Sequence, residues 1–225
     1  MKKALVFGAT GFVGSYILQD LLENPEYEQV TAVVRKDLEQ KHPKLKIVVG
    51  DRETLPGLKE ELEGDDVFIA IGTTTKKTPD QAEYYAIDHD YPVLAASVAR
   101  EKGATSVFLV SSVGATVNSG FFYIRTKGEV ERDIIALDYE HTHIFRPSMI
   151  MGKRPEHRTM EKVLIGIFSA VSPLLVGSLK RYRGMEAKDI ARAMVNAAAC
   201  PAGSVAGKTS GKVTVYEWPQ MQALL

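Results

Sequence analysis

Cysteine is nearly missing from this chain. Cys200 is the only one in 225 residues, so no internal disulfide can form. Net charge is missing too: Lys plus Arg and Asp plus Glu number 28 each, which leaves no overall field to draw the chain onto nucleic acid or an anionic membrane surface. No apolar run reaches the roughly eighteen residues of a membrane-spanning helix. The nearest, Val163 to Leu179, is broken by Gly166, Ser169, Ser172, Pro173, Gly177 and Ser178. After Met1-Lys2-Lys3 the chain enters an apolar run with no signal-peptide core or cleavage site; with the lone cysteine, this creates the expectation of a cytoplasmic protein. Repeats, low-complexity tracts and linkers are lacking as well. The 45% hydrophobic content can fill one substantial core, so a single domain over 1–225 is expected.

What is present is a glycine turn in a telling place. Gly8-Ala9-Thr10-Gly11-Phe12-Val13-Gly14 follows the apolar run Ala4–Phe7 and precedes the helical pattern Tyr16–Leu22. Strand, glycine turn and helix in that order make a dinucleotide-binding crossover: glycine supplies positive φ and close backbone approach, and the helix N-terminus offers free N–H groups to a pyrophosphate. Thr10, Phe12 and Val13 complete the lip of that site. A second strand, Glu28–Val34, ends in Arg35-Lys36, about where an NAD-binding protein carries an acidic residue for the adenosine ribose. A guanidinium there pairs with a 2′-phosphate, which favours NADP(H) over NAD(H). Asp37 keeps an NAD alternative open, and a plain solvated strand end would also explain the two basic residues.

Strand three, Leu45–Val49, runs into Gly50-Asp51-Arg52, and strand four, Asp66–Ile71, into Gly72-Thr73-Thr74-Thr75. Ligands of open parallel sheets lie beyond such C-terminal strand ends. Asp51 and Arg52 are therefore candidates for the adenine end, and Gly72, Thr73 and Thr74 for backbone passing the cofactor; routine strand exits are the alternative. A short helix is expected over Pro79–Ile87 and a second from Asp88 or Asp90 to a stop at Gly103. The pattern as a whole predicts an α/β Rossmann domain, a doubly wound and mostly parallel sheet of about seven strands with helices on both faces.

Strand five, Ser106–Val110, ends in Ser111-Ser112; a loop over Gly114–Gly120 and a helix over Phe121–Leu137 follow. Tyr123 and Lys127, four apart, share one face of that helix. A phenol with an ordinary pKa of about 10 exchanges protons poorly at neutral pH, and a lysine ammonium beside it favours the phenolate. Ser112, with Ser111 as alternative, would hold a carbonyl oxygen against Tyr123, and Lys127 would also reach the nicotinamide ribose. Strand six, His141–Phe145, leads into Arg146-Pro147, with Pro147 ending the strand beside the nicotinamide. His141 and His143 share a strand face, yet two histidines without a placed carboxylate or cysteine do not make a metal site. Residues 148–180 are expected to be a substrate-pocket or interface segment. Met149, Ile150, Met151 and Val163–Phe168 give it an apolar character suited to an apolar carbonyl substrate, and Lys153, Arg154, Glu156, Arg158, Glu161 and Lys162 are its few charges. Packing in a homodimer would use the same face. A last helix, Met185–Ala199, and a strand, Lys212–Tyr216, close the pattern. Ala202–Thr209 only imitates a P-loop, since its first glycine is replaced by Ala202 and no strand precedes it.

Taken together, Gly8/Gly11/Gly14, Arg35, Gly72-Thr73-Thr74, Asp88-His89-Asp90-Tyr91, Ser111-Ser112, Tyr123 with Lys127-Gly128-Glu129-Val130-Glu131, and Phe145-Arg146-Pro147 resemble an atypical short-chain dehydrogenase/reductase, closest to the TIP30/CC3 (Tat-interacting protein)-like family. The resemblance implies a Rossmann fold with NADP(H) and a hydride-transferring enzyme, and it names no substrate. Two departures stand out. Asp88 occupies the place where many superfamily members carry a catalytic asparagine, and Ser112 precedes Tyr123 by eleven residues, slightly fewer than usual. An NADP(H)-sensing regulator without turnover and a sugar-nucleotide epimerase or dehydratase are the competing expectations. The intact Ser-Tyr-Lys set speaks against the first, and the short region after residue 148 against the second.

Overall fold

A computed structural model describes residues 1–152, 175–199 and 207–225. Val163–Phe168, the charges between Lys153 and Lys162, Cys200 and most of the P-loop-like stretch lie outside them. Among the described residues an eight-stranded sheet runs in the order β3-β2-β1-β4-β5-β6-β10-β9. Its strands are β1 (Lys2–Phe7), β2 (Tyr27–Val34), β3 (Leu45–Val49), β4 (Asp66–Ile69), β5 (Ser106–Val110), β6 (His141–Phe145), β9 (Lys208–Ser210) and β10 (Val213–Tyr216). All but β9 are parallel; β9 lies antiparallel on the outer edge of β10. A two-stranded ribbon, β7 (Ile150–Met151) with β8 (Met185–Glu186), stands apart.

Alternation along each strand divides the core between two faces, as period-two side chains must when helices cover both. Ala4, Val6, Phe68 and Phe108 face α1 (Gly14–Glu23) and α5 (Ala187–Ala199), where Ile17, Leu21, Ile190 and Met194 are fully buried. Leu5, Phe7, Val67, Ile69, Val107 and Leu109 face α3 (Tyr91–Glu101) and α4 (Phe122–Ala136). α6 (Trp218–Gln222) closes the chain beneath a Glu217/Gln220 capping box.

The strand order reverses between β1 and β4, since β2 and β3 extend one way and β5 onward the other. That is the switch point where α/β sheets form their ligand crevice, and the turns after β1 and β4 are therefore neighbours. Three sequence expectations are corrected here. β4 ends at Ile69, two residues early, because the chain leaves the sheet at Ala70 to pass the glycine turn. The two helices expected between Pro79 and Gly103 are one bent unit: α2 (Gln81–Tyr85) joins α3 through a π turn over Ala86–Asp90. Met185 and Glu186 belong to β8 rather than to the last helix. β9 gives the sheet its eighth strand, close to the seven or so expected, and places Lys208 and Thr209 on a strand, in line with the rejected P-loop.

The two strand-six histidines are bound up with packing. Phe68, Phe108 and His143 stack across β4, β5 and β6 with centroids 4.6 and 4.5 Å apart, and His143 Nδ1 lies 2.8 Å from the Tyr216 hydroxyl. Burial, helped by the positive charge of His141 and Lys2, lowers the His143 ring to about 4 from 6.5. The folded protein thus binds fewer protons than the unfolded chain between those values. The stability this contributes is full above pH 6.5 and is lost as pH falls toward 4, about 3 kcal/mol in all. Urea unfolding at pH 7 and 4.5 checks it: the wild type is expected to weaken across this window, and His143→Phe, which keeps the stack but cannot titrate, to show a much flatter profile.

Candidate functional site

The glycine turn is bare because nothing larger fits. Gly8 has φ +86°, and a Cβ there would lie 2.6 Å from the Ala70 carbonyl oxygen; one on Gly14 would lie 2.0 Å from the Gly8 oxygen. Gly11 N–H closes the turn on that same oxygen at 2.8 Å. The backbone therefore folds tightly over the β1/β4 switch point and runs into α1 at Gly14, with Val13 as its cap and no side chain occupying the helix N-terminus. The positive end of the helix dipole suits an anion there. Thr10 is exposed on the lip. Across the turn Phe12 packs on Gly152 (φ +129°), where a Cβ would sit 3.0 Å from the ring.

At the far end of the crevice Arg35, Lys36, Asp51 and Arg52 are all exposed. Asp51 is less available than its position suggests. Its Oδ1 accepts the N–H groups of Glu53 and Thr54, both at 3.0 Å, and the Thr54 hydroxyl at 2.9 Å; Thr54 above all holds this carboxyl below the usual carboxylate range. Tyr91 was named from the sequence only within the family resemblance, with no role assigned. Burial first and Asp51 second raise its hydroxyl, while the Arg35 guanidinium opposes them, so Tyr91, Asp51 and Arg35 share one electrostatic corner.

The other half of the site hangs on α4. Tyr123, Lys127 and Glu131 follow one another at intervals of four, so one helical face carries all three. Tyr123 is 39% exposed, whereas Lys127 and Glu131 are buried. Gly128 brings this helix against the preceding loop: a Cβ there would lie 2.2 Å from the Thr116 carbonyl carbon. Lys127 Nζ is 2.8 Å from Asp88 Oδ1, and Asp88 is 1% exposed. Asp88 Oδ2 accepts the Thr73 N–H at 2.7 Å, which ties the turn after β4 to the same carboxylate. Burial first and the Asp88 carboxylate second push the nearby Tyr84 hydroxyl well above the ordinary tyrosine range.

The serine pair divides. Ser111 donates its hydroxyl to Glu131 Oε1, and Arg146 Nε donates to the same oxygen at 2.9 Å while its NH2 group takes Oε2. Arg146 is raised by that bond. Ser111 is thus part of a brace joining the ends of β5 and β6 to α4, and Ser112, also buried, makes no side-chain bond among the described residues. Glu131 and Arg146 entered the sequence reading only within the family resemblance and were given no role there, although Glu131, four beyond Lys127, continues the row that marked Tyr123 and Lys127. Pro147 is buried, and its carbonyl accepts the Val113 N–H at 3.0 Å. Ile150 and Met151 are half-buried in the β7/β8 ribbon.

The NAD(P)H-binding family matches residues 8–201. A relative from Aspergillus fumigatus, protein fmp52, mitochondrial, is 36% identical over 204 residues, covering 88% of this chain and 87% of its own. That name overturns the cytoplasmic expectation. The cysteine count carries no information that tells one interior compartment from another. In solved structures the fold is similar to that of the Bordetella bronchiseptica enzyme WbmH in complex with NAD+, with a TM-score of 0.68 at 18% identity, covering 97% of this chain and 76% of that one. It is also similar to the Helicobacter pylori ADP-L-glycero-D-manno-heptose-6-epimerase, with a TM-score of 0.67 at 17% identity, covering 99% and 80%. The glycine turn at the switch point is thus accompanied by a family match over most of the sequence, and the chain belongs to the NAD(P)H-binding family.

Proposed function

We propose that this protein is an NADP(H)-dependent oxidoreductase of the short-chain dehydrogenase/reductase type, of the TIP30/CC3-like branch, reducing a small apolar carbonyl compound. The observation that carries the reading is the α4 row, with an exposed Tyr123 one turn before a Lys127 whose ammonium is buried and ion-paired. Gly8, Thr10, Gly11, Phe12, Val13 and Gly14 would hold the pyrophosphate, a fit supported by the turn's intolerance of any Cβ. Arg35 and Lys36 would take the 2′-phosphate, Asp51 and Arg52 the adenine end, and Gly72, Thr73, Thr74, Ser111 and Pro147 would flank the remainder.

The bound nicotinamide supplies a hydride for the carbonyl carbon. Ser112 would donate its hydroxyl to the carbonyl oxygen, and Tyr123 would deliver a proton to the same oxygen, so that an alcohol forms. Lys127 would stabilise the phenolate left on Tyr123 and bond the nicotinamide ribose. Met149, Ile150 and Met151 support an apolar substrate, with 148–180 as pocket wall or homodimer interface within a single 1–225 domain. The relative's name supports a mitochondrial location.

The cofactor preference is tested by fluorescence titration. NADPH is expected to bind more tightly than NADH, and Arg35→Ala to weaken NADPH by ~10- to 100-fold, the worth of a charge-assisted pair, while leaving NADH nearly unchanged. Equal affinities in the wild type would sink the preference. A sugar-nucleotide epimerase is the second reading, favoured by the fold shared with the heptose epimerase. It requires turnover of a nucleotide-sugar with no net consumption of reduced cofactor.

A further inference from the structure

We propose that Asp88 is the positioning residue of Lys127: its carboxylate anchors the ammonium and fastens it to the turn after β4, and an amide cannot replace it. Two donors converge on this one group, one at each oxygen. Lys127 Nζ approaches Oδ1 at 2.8 Å, and the Thr73 N–H reaches Oδ2 at 2.7 Å. A carboxylate accepts at both oxygens. An asparagine has a single acceptor oxygen, and its NH2 group would have to face either an ammonium or a backbone N–H. The aspartate is therefore what this donor set requires, and not a casual replacement of the superfamily's asparagine.

The local backbone aims it. Asp88 sits at the centre of the π turn over Ala86–Asp90, the kind of widened turn that recurs at functional sites. His89, next in the chain, reaches Asp133 on α4 at 2.9 Å through Nε2 and Asp90 at 2.8 Å through Nδ1. The turn is thus stitched to α4 at two points six residues apart, Lys127 and Asp133. Asp88 touches the turn after β4 on one side and Lys127 on the other, so the two halves of the crevice are held in one register by a single side chain.

Without its carboxylate the buried ammonium has no counter-charge, and breaking one member of a buried pair is far costlier than removing both. The test is a double-mutant cycle with Asp88→Asn, Lys127→Met and the double variant. Urea unfolding of the cofactor-free protein reads the pair independently of any activity. Each single variant is expected to lower the folding equilibrium constant by at least ~100-fold, and the double variant by much less than the product of the two. If Asp88→Asn does not fold at all, the double variant is expected to regain folding. Losses that simply multiply, or a double variant as unfolded as Asp88→Asn, overturn the proposal.

The catalytic side rests on the reductase reading. There Asp88→Asn is expected to cut kcat by ~100-fold or more, as loss of proton-transfer support does, while the carbonyl KM stays within about twofold, because Asp88 acts through Lys127 rather than on substrate. Adding Lys127→Met should then cost no further factor. A wild-type kcat in Asp88→Asn overturns the proposal. A wild type with no turnover on any carbonyl overturns the reductase reading instead, and the unfolding cycle still decides whether Asp88 holds Lys127.

Discussion

Tyr123→Phe is expected to lower NADPH-dependent carbonyl reduction by ~10²- to 10⁴-fold, the usual worth of a positioned proton donor, while the dissociation constant for NADPH changes by less than about twofold. The substitution removes one oxygen and keeps the ring. Tyr123 is 39% exposed at the first turn of α4, so the ring is under little packing constraint and the fold should not register the change. Structural losses would therefore show in thermal unfolding, where none is expected. A screen of aldehydes and ketones that finds wild-type turnover, retained in Tyr123→Phe, removes Tyr123 from the chemistry. The companion Ser111→Ala separates the two serines. Loss of the Ser111 bond to Glu131 should reduce stability, whereas Ser112→Ala should reduce turnover without it.

Gly14→Ala is expected to have an effect of the opposite kind. Gly14 opens α1, where alanine would ordinarily be the better helix former by about 1 kcal/mol. Here the added methyl would lie 2.0 Å from the Gly8 carbonyl oxygen and 2.7 Å from its carbon, and backbone atoms cannot rotate aside as a side chain does. Either the helix moves out or the turn opens; both unmake the anion site and cost more than the 1–3 kcal/mol typical of an overpacked core. Cofactor titration and urea unfolding are both expected to register the loss, binding by at least ~100-fold. Gly57→Ala is the control, because a Cβ there meets nothing within 4 Å, and it is expected to be neutral or slightly stabilising. Normal NADPH binding by Gly14→Ala would show that the turn does not hold the cofactor.

Much of this architecture was legible in the order of residues. An apolar run ending in Gly8, Gly11 and Gly14 and followed by a helical pattern announces the crossover, because only glycine tolerates those backbone conformations and contacts. Alternating strands and intervening helices predicted the parallel, two-faced sheet. Tyr123 and Lys127 were found by helical spacing. Glu131 extends the same row, but its partners Ser111 and Arg146 come from two strand ends distant in sequence, so its role was not legible there.

What the linear order determined, then, was local: which segments extend, where the backbone must be bare, and which side chains share a helix face. These follow from periodicity and from φ/ψ limits that each short stretch carries by itself. Only the tertiary structure decided the rest. It set β1 beside β4, so that Gly8 meets Ala70 across 62 positions of sequence. It engaged Ser111 with Glu131 and Arg146 and left Ser112 open, a choice between adjacent residues that turns on a helix and a strand end from elsewhere in the chain. It turned Asp51 into its own loop, and it made Asp88 the common acceptor for Thr73 and Lys127. The demand for a carboxylate there is created by donors from two separate segments, and it exists only after packing has brought them together and excluded the water that would otherwise satisfy each one.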